Sequence, residues 1–342
     1  MSDLVSLKDF TPADLELWVQ EAEQPAYRAK QLLKWMYSQN VEDFQSMTDL
    51  SKDFRGWLEQ HARLPCLMLE EVLTDEDGTR KLLFRLQDGE YIEGVLIAEG
   101  QRLTLCVSSQ VGCAFGCRFC LTGQAGYSRD LTAGEIVDQI CAARRELGPD
   151  ERITNLVFMG MGEPLANFEQ VVKGLEIIIA DNGLNFSTRK ITLSTVGLIP
   201  EMHRLSRLFP VKLAVSLHAA DNETRSRIMP INRRYPLEEL LEACRQLELP
   251  RRQRITFEYL LLGGVNDSAA DARKLGKLLR GLRAKINLIP FNGYPGAAFN
   301  RPSPTRIAEF QEILQEKHYT ATIRQSRGAG IMAACGQLRH NR

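Results

Sequence analysis

The spacing of apolar residues changes period twice along the chain. Over the first sixty or so positions it is helical. Within residues 27–37, Ala29, Leu32, Leu33 and Met36 share one face, and Arg28, Lys30, Gln31 and Lys34 fall mostly on the other. An earlier helix starts at Thr11-Pro12-Ala13-Asp14, with a capping residue and a proline in its first turn. Between residues 66 and 100 the period falls toward two. The runs 80–86 and 91–97, parted by Asp88-Gly89, predict a β-hairpin or small sheet. From residue 104 strands and helices alternate. Strands are expected over 104–108, 153–159, 190–195, 211–217, 255–262 and 286–291. Helical patterns lie between them near 132–146, 167–181, 198–208, 236–247 and 267–282. A last helix is expected near 305–317, and 320–325 could form a closing strand.

Alternating βα units imply a parallel sheet with helices outside. Six such units are too few to close an eight-stranded barrel, so the expected class is α/β, a partial (β/α)6 barrel. Its chemistry should gather at the C-terminal ends of the strands. The chain divides into a helical accessory domain at 1–65, a β extension at 66–100, and the partial barrel at 101–338 with a C-terminal loop.

Composition narrows the class without naming a substrate. Hydrophobic residues make up 44% and charged residues 25%, which is ordinary for a globular chain. Acidic and basic residues number 43 each, so any basic surface for nucleic acid must be local. Eight cysteines are too sparse for a disulfide scaffold. The start, Met1 to Asp9, lacks a basic stretch followed by an apolar one, and no run is long and apolar enough to span a membrane. A reducing, cytoplasmic setting is expected.

The densest chemistry is the run Cys113-Ala114-Phe115-Gly116-Cys117-Arg118-Phe119-Cys120. Three thiolates on one short loop can hold three irons of a cubane [4Fe–4S] cluster, which normally has four cysteine ligands. The missing fourth leaves one iron open for a small molecule. A structural zinc site would need four ligands at paired spacings, and no second pair exists. With Phe119 before the last cysteine, the loop resembles the signature of radical S-adenosylmethionine (SAM) enzymes.

Further polar residues fall where strands are expected to end. Met159-Gly160-Met161-Gly162-Glu163-Pro164 follows the second strand, and its glycines would let a ligand approach the backbone. Ser194, Ser216-Leu217-His218 and Asn292 follow later strands. Taken singly, His218 reads equally well as a core histidine. Cys106 lies in the first strand and Cys335 between small residues near the C-terminus; spacing alone does not pair them. Cys66, Cys141 and Cys244 sit in apolar contexts and read as inert.

Taken together, residues 105–113, 158–167, 216–218, 229–232, 264–267 and 333–338 resemble the RlmN/Cfr family, the radical SAM methyltransferases of RNA adenine. The likeness runs from about residue 20 to residue 338 with matched order and spacing. The resemblance implies that Cys113, Cys117 and Cys120 ligate one [4Fe–4S] cluster, and that Gly162, Glu163, Ser194, Ser216, Leu217, His218 and Asn292 contact SAM. It implies that Cys335 becomes S-methylated, that Cys106 resolves it through a disulfide, and that Glu93 handles a proton. Two SAM molecules would be used per turnover. The implied partners are 23S rRNA and tRNA, an electron donor such as flavodoxin or ferredoxin, and a thiol reductant; a monomer is expected. The family's branches methylate adenine C2 or C8, and residues 289–292 and 162–164 look closer to the C2 branch. Two positions depart from the family pattern: Gly330 stands where an aspartate is usual, and Leu121 where a small residue is.

Other classes explain less. A non-catalytic iron–sulfur or zinc RNA-binding protein gives no role to Cys335 or Glu163. A radical SAM enzyme for a small substrate has no need of the helical domain. RNA contact is expected from Arg28, Lys30 and Lys34, then from Arg251, Arg252 and Arg254 and from Arg233 and Arg234. The target adenine must leave its stack to enter a barrel, which favours a loop nucleotide.

Overall fold

The computed structural model describes residues 4–339; the segment read for a leader begins outside them. One ten-stranded sheet organises the chain, and its strand order is its chain order. Strands β1 (Met68–Thr74), β2 (Arg80–Arg85) and β3 (Tyr91–Glu99) run antiparallel, and β3 pairs antiparallel with β4 (Arg102–Cys106). From β4 onward every neighbour is parallel: β5 (Asn155–Phe158), β6 (Ile191–Thr195), β7 (Lys212–Ser216), β8 (Ile255–Leu261), β9 (Ala284–Pro290) and β10 (Ala321–Ile323). This is the partial barrel anticipated from the alternating pattern, with β10 as the short closing strand. The hairpin expected over 80–97 is β2–β3. It gains a third strand and continues into the barrel sheet, with Val95 opposite Cys106.

Local chemistry sets the helix boundaries. Thr11 caps Pro12–Glu21 in a reciprocal box with Asp14, and Thr132 with Glu135 does the same for Ala133–Arg145. Ser268 and Asp271 repeat the device on Ala269–Leu278. The second N-terminal helix, Tyr27–Leu33, widens into a π turn over Lys34–Ser38. A third, Lys52–His61, is capped by Ser51. Outer helices bury one apolar stripe each against the sheet, as Phe168–Ile179 does with Val171, Leu175 and Ile178. Among the described residues no helix is long and apolar enough to cross a membrane.

The N-terminal helices dock on Ala133–Arg145 through polar contacts. Lys8, fully buried, pairs with buried Asp138. Asp9 accepts the Gly134 N–H at 2.8 Å, and a Cβ on Gly134 would lie 2.8 Å from that same oxygen. Asn40 donates to the Cys141 carbonyl and Arg144 to the Tyr37 carbonyl. The helix that supports the first barrel unit therefore also anchors the accessory segment.

Candidate active site

The cysteine loop leaves the barrel just after β4. Residues Gln110–Gly112 pair with Tyr127–Asp130 in a small antiparallel ribbon that brackets it. Gly112 sits at φ 77°, and a Cβ there would fall 2.0 Å from the Gly126 carbonyl oxygen, so only glycine fits. That oxygen accepts the Cys113 N–H at 2.7 Å. Arg118 N–H donates to the Ile228 carbonyl at 3.0 Å. On the other side Leu121 N–H donates to Gly336, and the Thr122 hydroxyl to Leu338. The C-terminal loop is thereby stitched to the cysteine loop, which brings Cys335 to the barrel mouth.

A cavity of about 160 Å³ opens there. Cys113, Cys117, Cys120, Gly162, Glu163, Ser194, Ser216, His218 and Cys335 all line it. A smaller one adjoins it, lined by Cys106, Asn292, Val95 and again Cys335. Met159, Ile289, Arg324 and Cys335 belong to both walls. Cys335 therefore stands between the three-cysteine cavity and Cys106, a juxtaposition that spacing could not give. Leu217 is fully buried and lines neither cavity. Glu93 also lines neither, but it shares a strand face with Val95 two residues on. It is 3% exposed; Oε1 lies 3.2 Å from Lys81 Nζ, and buried Oε2 has no hydrogen-bond partner among the described residues.

The glycines of the 159–164 segment do more than admit a ligand. A Cβ on Gly160 would meet Ser108 Oγ at 2.7 Å, and one on Gly162, at φ 98°, would meet Gln110 Cβ at 2.6 Å. Their first task is to let this turn pack on residues 107–110. Gln110 then accepts the Glu163 N–H at 2.8 Å. The Glu163 carboxylate accepts from Val196 N–H at 2.8 Å and Leu165 N–H at 3.1 Å. Burial nevertheless pushes its pKa up to about 7.

His218 has a left-handed backbone at φ 55°, unusual for a non-glycine residue. Its Nδ1 accepts the Leu260 N–H at 2.9 Å, so the neutral ring carries its proton on Nε2. Burial, then the charge of Arg225, pushes its pKa down to about 3. The ring is satisfied by backbone at Nδ1, as a core histidine would be, and the residue also lines the cavity. Phe119 packs edge-on against it at 4.9 Å.

Burial pushes the Cys106 thiol up to about 12, with nearby Cys335 adding and Arg324 opposing. Burial likewise raises Cys113 to about 12, and it raises Cys117 and Cys120. Buried thiols stay protonated until a metal displaces the proton. Among the described residues no three His, Cys, Asp or Glu close on a single ion. Three soft donors around one cavity, which Glu163, Ser194 and His218 also line, suit a three-cysteine iron–sulfur cluster with an open iron. Cys141 and Cys244 are buried away from this cavity, and Cys66 is half-buried against Lys8.

Sequence reading missed Lys81, Arg225, Glu258 and Arg324. Arg324 follows β10 and is drawn toward Cys335, Glu258 and Cys106, while its Nη1 lies 3.5 Å from Met159 Sδ. Among the basic candidates, Lys30, Lys34, Arg233, Arg234, Arg251, Arg252 and Arg254 are exposed. Arg28 is partly covered, its guanidinium 5.2 Å from the Tyr27 ring centre and 5.5 Å from that of Phe54.

This fold and site define a class, the radical SAM enzymes, and the radical SAM superfamily model matches residues 107–275. A second model, the ribosomal RNA large subunit methyltransferase N-terminal domain, matches residues 5–64. The chain is 54% identical to the dual-specificity RNA methyltransferase RlmN of Syntrophobacter fumaroxidans, covering 98% of both chains. It is 52% identical to the RlmN of Geobacter sulfurreducens, covering 99% of this chain and 93% of that one. A radical SAM methyltransferase from Sphaerobacter thermophilus superposes with a TM-score of 0.93 at 48% identity, covering 98% of this chain and 99% of that one. The chain belongs to the RlmN family of radical SAM RNA methyltransferases.

Proposed function

We propose that the enzyme methylates C2 of adenosine in 23S rRNA and in tRNA, through an S-methyl group carried on Cys335. The observation that carries this reading is that Cys335 lines both the three-cysteine cavity and the Cys106 cavity. A methyl carrier that must face a radical source and then a resolving thiol needs that position.

Adenine C2 is electron-poor and has no lone pair with which to take a methyl from SAM directly. Cys113, Cys117 and Cys120 would hold a [4Fe–4S] cluster, which supplies the electron that cleaves SAM to a 5′-deoxyadenosyl radical. Glu163 accepts from the SAM ammonium, and Ser194, Ser216, His218 and Asn292 hold the rest of the molecule. Nε2–H of His218 acts as a donor. Cys335 first takes a methyl group from one SAM. A hydrogen atom of that methyl then passes to the radical made from a second SAM, and the carbon joins adenine C2. Glu93 takes the ring proton through its free Oε2. The adduct must also give up its unpaired electron, for which the oxidised cluster would be the acceptor at hand. The Cys106 thiolate then attacks the Cys335 sulfur, the methylene carbon leaves with the electron pair of the broken C–S bond and takes up a proton, and a disulfide remains for a thiol reductant.

The accessory helices at 1–65 dock folded RNA through Lys30, Lys34 and Arg28, and the β extension at 66–100 supplies Glu93. A flavodoxin or ferredoxin provides the electron, and the enzyme acts as a monomer. The test is anaerobic incubation of reconstituted enzyme, SAM and reductant with unmethylated 23S rRNA and with bulk tRNA, followed by nucleoside mass spectrometry. Formation of 2-methyladenosine, lost in Cys335→Ala, is expected. Formation of 8-methyladenosine would overturn the C2 assignment. SAM cleavage with neither product would overturn the substrate.

A further inference from the structure

The helix Asn222–Ile228 reads as a polar surface segment, Asn-Glu-Thr-Arg-Ser-Arg-Ile. Yet Arg225 within it is 0% exposed. Its guanidinium is fully engaged. Nε donates to the Leu217 carbonyl at 3.1 Å. Nη1 donates to Asn232 Oδ1 at 2.9 Å and to the Tyr235 carbonyl at 3.3 Å. Nη2 donates to the Val196 carbonyl at 2.9 Å and the Ser216 carbonyl at 3.1 Å.

Every one of those acceptors is neutral. Among the described residues no carboxylate pairs with this cation, although the protein's other fully buried cation, Lys8, has Asp138. Neutral carbonyls soften the burial of an ion but leave its charge in place, and buried charges are ordinarily paired. Val196 and Ser216, whose carbonyls hold Nη2, line the same cavity as Cys117. The helix also touches the cysteine loop directly, since Ile228 accepts the Arg118 N–H, and Met229 lines the same cavity as the three thiols. The positive charge of Arg225 also helps to lower the pKa of His218, which lines that cavity.

We propose that Arg225 is the built-in counter-charge of the cluster held by Cys113, Cys117 and Cys120, and that it raises the potential at which the cluster accepts its electron. The inference rests on the reading of those three cysteines as cluster ligands. Three thiolates on a [4Fe–4S]²⁺ core carry a net charge of −1. One added electron makes it −2, with no bond made or broken. A fixed cation stabilises the second state more than the first. Arg225 is thus a positioning residue for charge, and its five hydrogen bonds keep it from moving toward the anion or out to water.

The experiment is an anaerobic titration with dithionite and mediators of the reconstituted full chain, followed by electron paramagnetic resonance of the reduced cluster, without SAM or RNA. Arg225→Met removes the charge. Asn232→Asp keeps the guanidinium and places a carboxylate beside it. Arg225→Lys keeps the charge but loses the fork of hydrogen bonds. Both neutralising variants should titrate lower, by about the 59 mV that equals a tenfold change for a one-electron couple. Arg225→Lys should melt earlier while its potential stays near wild type, a split that a purely structural role does not produce. The proposal is overturned if Asn232→Asp titrates with wild type, or if Arg225→Lys falls as far as Arg225→Met. Should Arg225→Met fail to fold, Asn232→Asp alone decides. A wild-type protein that gives no reduced-cluster signal would instead overturn the cluster reading beneath it.

Discussion

Replacing Lys8 by methionine should cost the fold about 3–5 kcal/mol, because it strands a buried carboxylate. Lys8 is 0% exposed and Asp138 2%, and they lie 130 positions apart in sequence. Asp138 Oδ2 also accepts the Leu67 N–H, so the pair ties the first turn, the start of the extension and helix Ala133–Arg145 together. Burial alone would lower the Lys8 pKa; the Asp138 carboxylate, Cys141, Cys66 and the hydrogen bond to Asp138 together outweigh it, and the net shift is upward. A lysine raised by folding stabilises fully below its ordinary value and loses that contribution as pH rises through the folded value. Measurements at neutral pH therefore see the whole effect. At about 2.1 cal/mol/K of unfolding entropy per residue over 342 residues, the loss corresponds to a fall in Tm of about 4–7 °C. Differential scanning calorimetry of Lys8→Met, Asp138→Leu and the double variant checks it. The double variant should recover at least half of the single loss, since an apolar pair has no charge to strand. A Lys8→Met protein melting within about 1 °C of wild type would refute the reasoning. So would a double variant as unstable as the singles.

Three further outcomes follow from the site. With a Glu163 pKa of about 7, SAM affinity should rise about tenfold from pH 6 to pH 8 as the carboxylate forms, and Glu163→Gln should flatten that slope in equilibrium dialysis; without SAM, the same upward shift makes stability decline as pH rises from the ordinary glutamate range through about 7. Lys81→Met removes the cation 3.2 Å from Glu93 and should slow methylation about 10- to 100-fold, with a protein–RNA adduct accumulating on denaturing gels; a wild-type rate would show that Lys81 does not hold the base. Gly330→Asp would restore the acid usual in the family, but its Cβ would sit 2.7 Å from Asp75 Oδ1; intact-protein mass spectrometry should show slower methylation of Cys335, recovered by adding Asp75→Asn.

What was legible in the sequence was whatever covalent or periodic chemistry fixes in place. Three cysteines proposed to share a cluster must share a loop, so their spacing shows as a motif. The capping box at Thr11 and Asp14 and the alternating βα pattern are local signals and appear at the expected positions. What stayed hidden was burial decided by distant partners. Arg225 sits in a run of polar residues and carries no local mark of its burial or of its five acceptors. Lys81 reads as a strand-edge charge until β3 brings Glu93 across from its neighbour Leu83. The ribbon Gln110–Gly112 with Tyr127–Asp130 is too short for a period to show.

The C-terminal loop shows why the spacing of Cys106 and Cys335 alone could not bring them to adjoining cavities. The loop is fastened at its two ends by parts of the chain far away in sequence. At one end Gly328 and Gly330 donate to Asp77 and Asp75 in the β1–β2 turn. At the other, Gly336 and Leu338 accept from Leu121 and Thr122 of the cysteine loop. Between these anchors, among the described residues, the hydrogen bonds of residues 331–335 stay within the loop: Ala333 N–H to Gly328, Met332 N–H to Ala329, and Ala334 N–H to Gln337. In the proposed role Cys335 must meet SAM, a nucleobase and a second thiol in turn. A loop fastened at both ends, with Ala334 and Gly336 flanking the thiol, suits that role. The two aspartates of the extension and the hydroxyl of Thr122 thus belong to the placement of Cys335 as much as its own neighbours do.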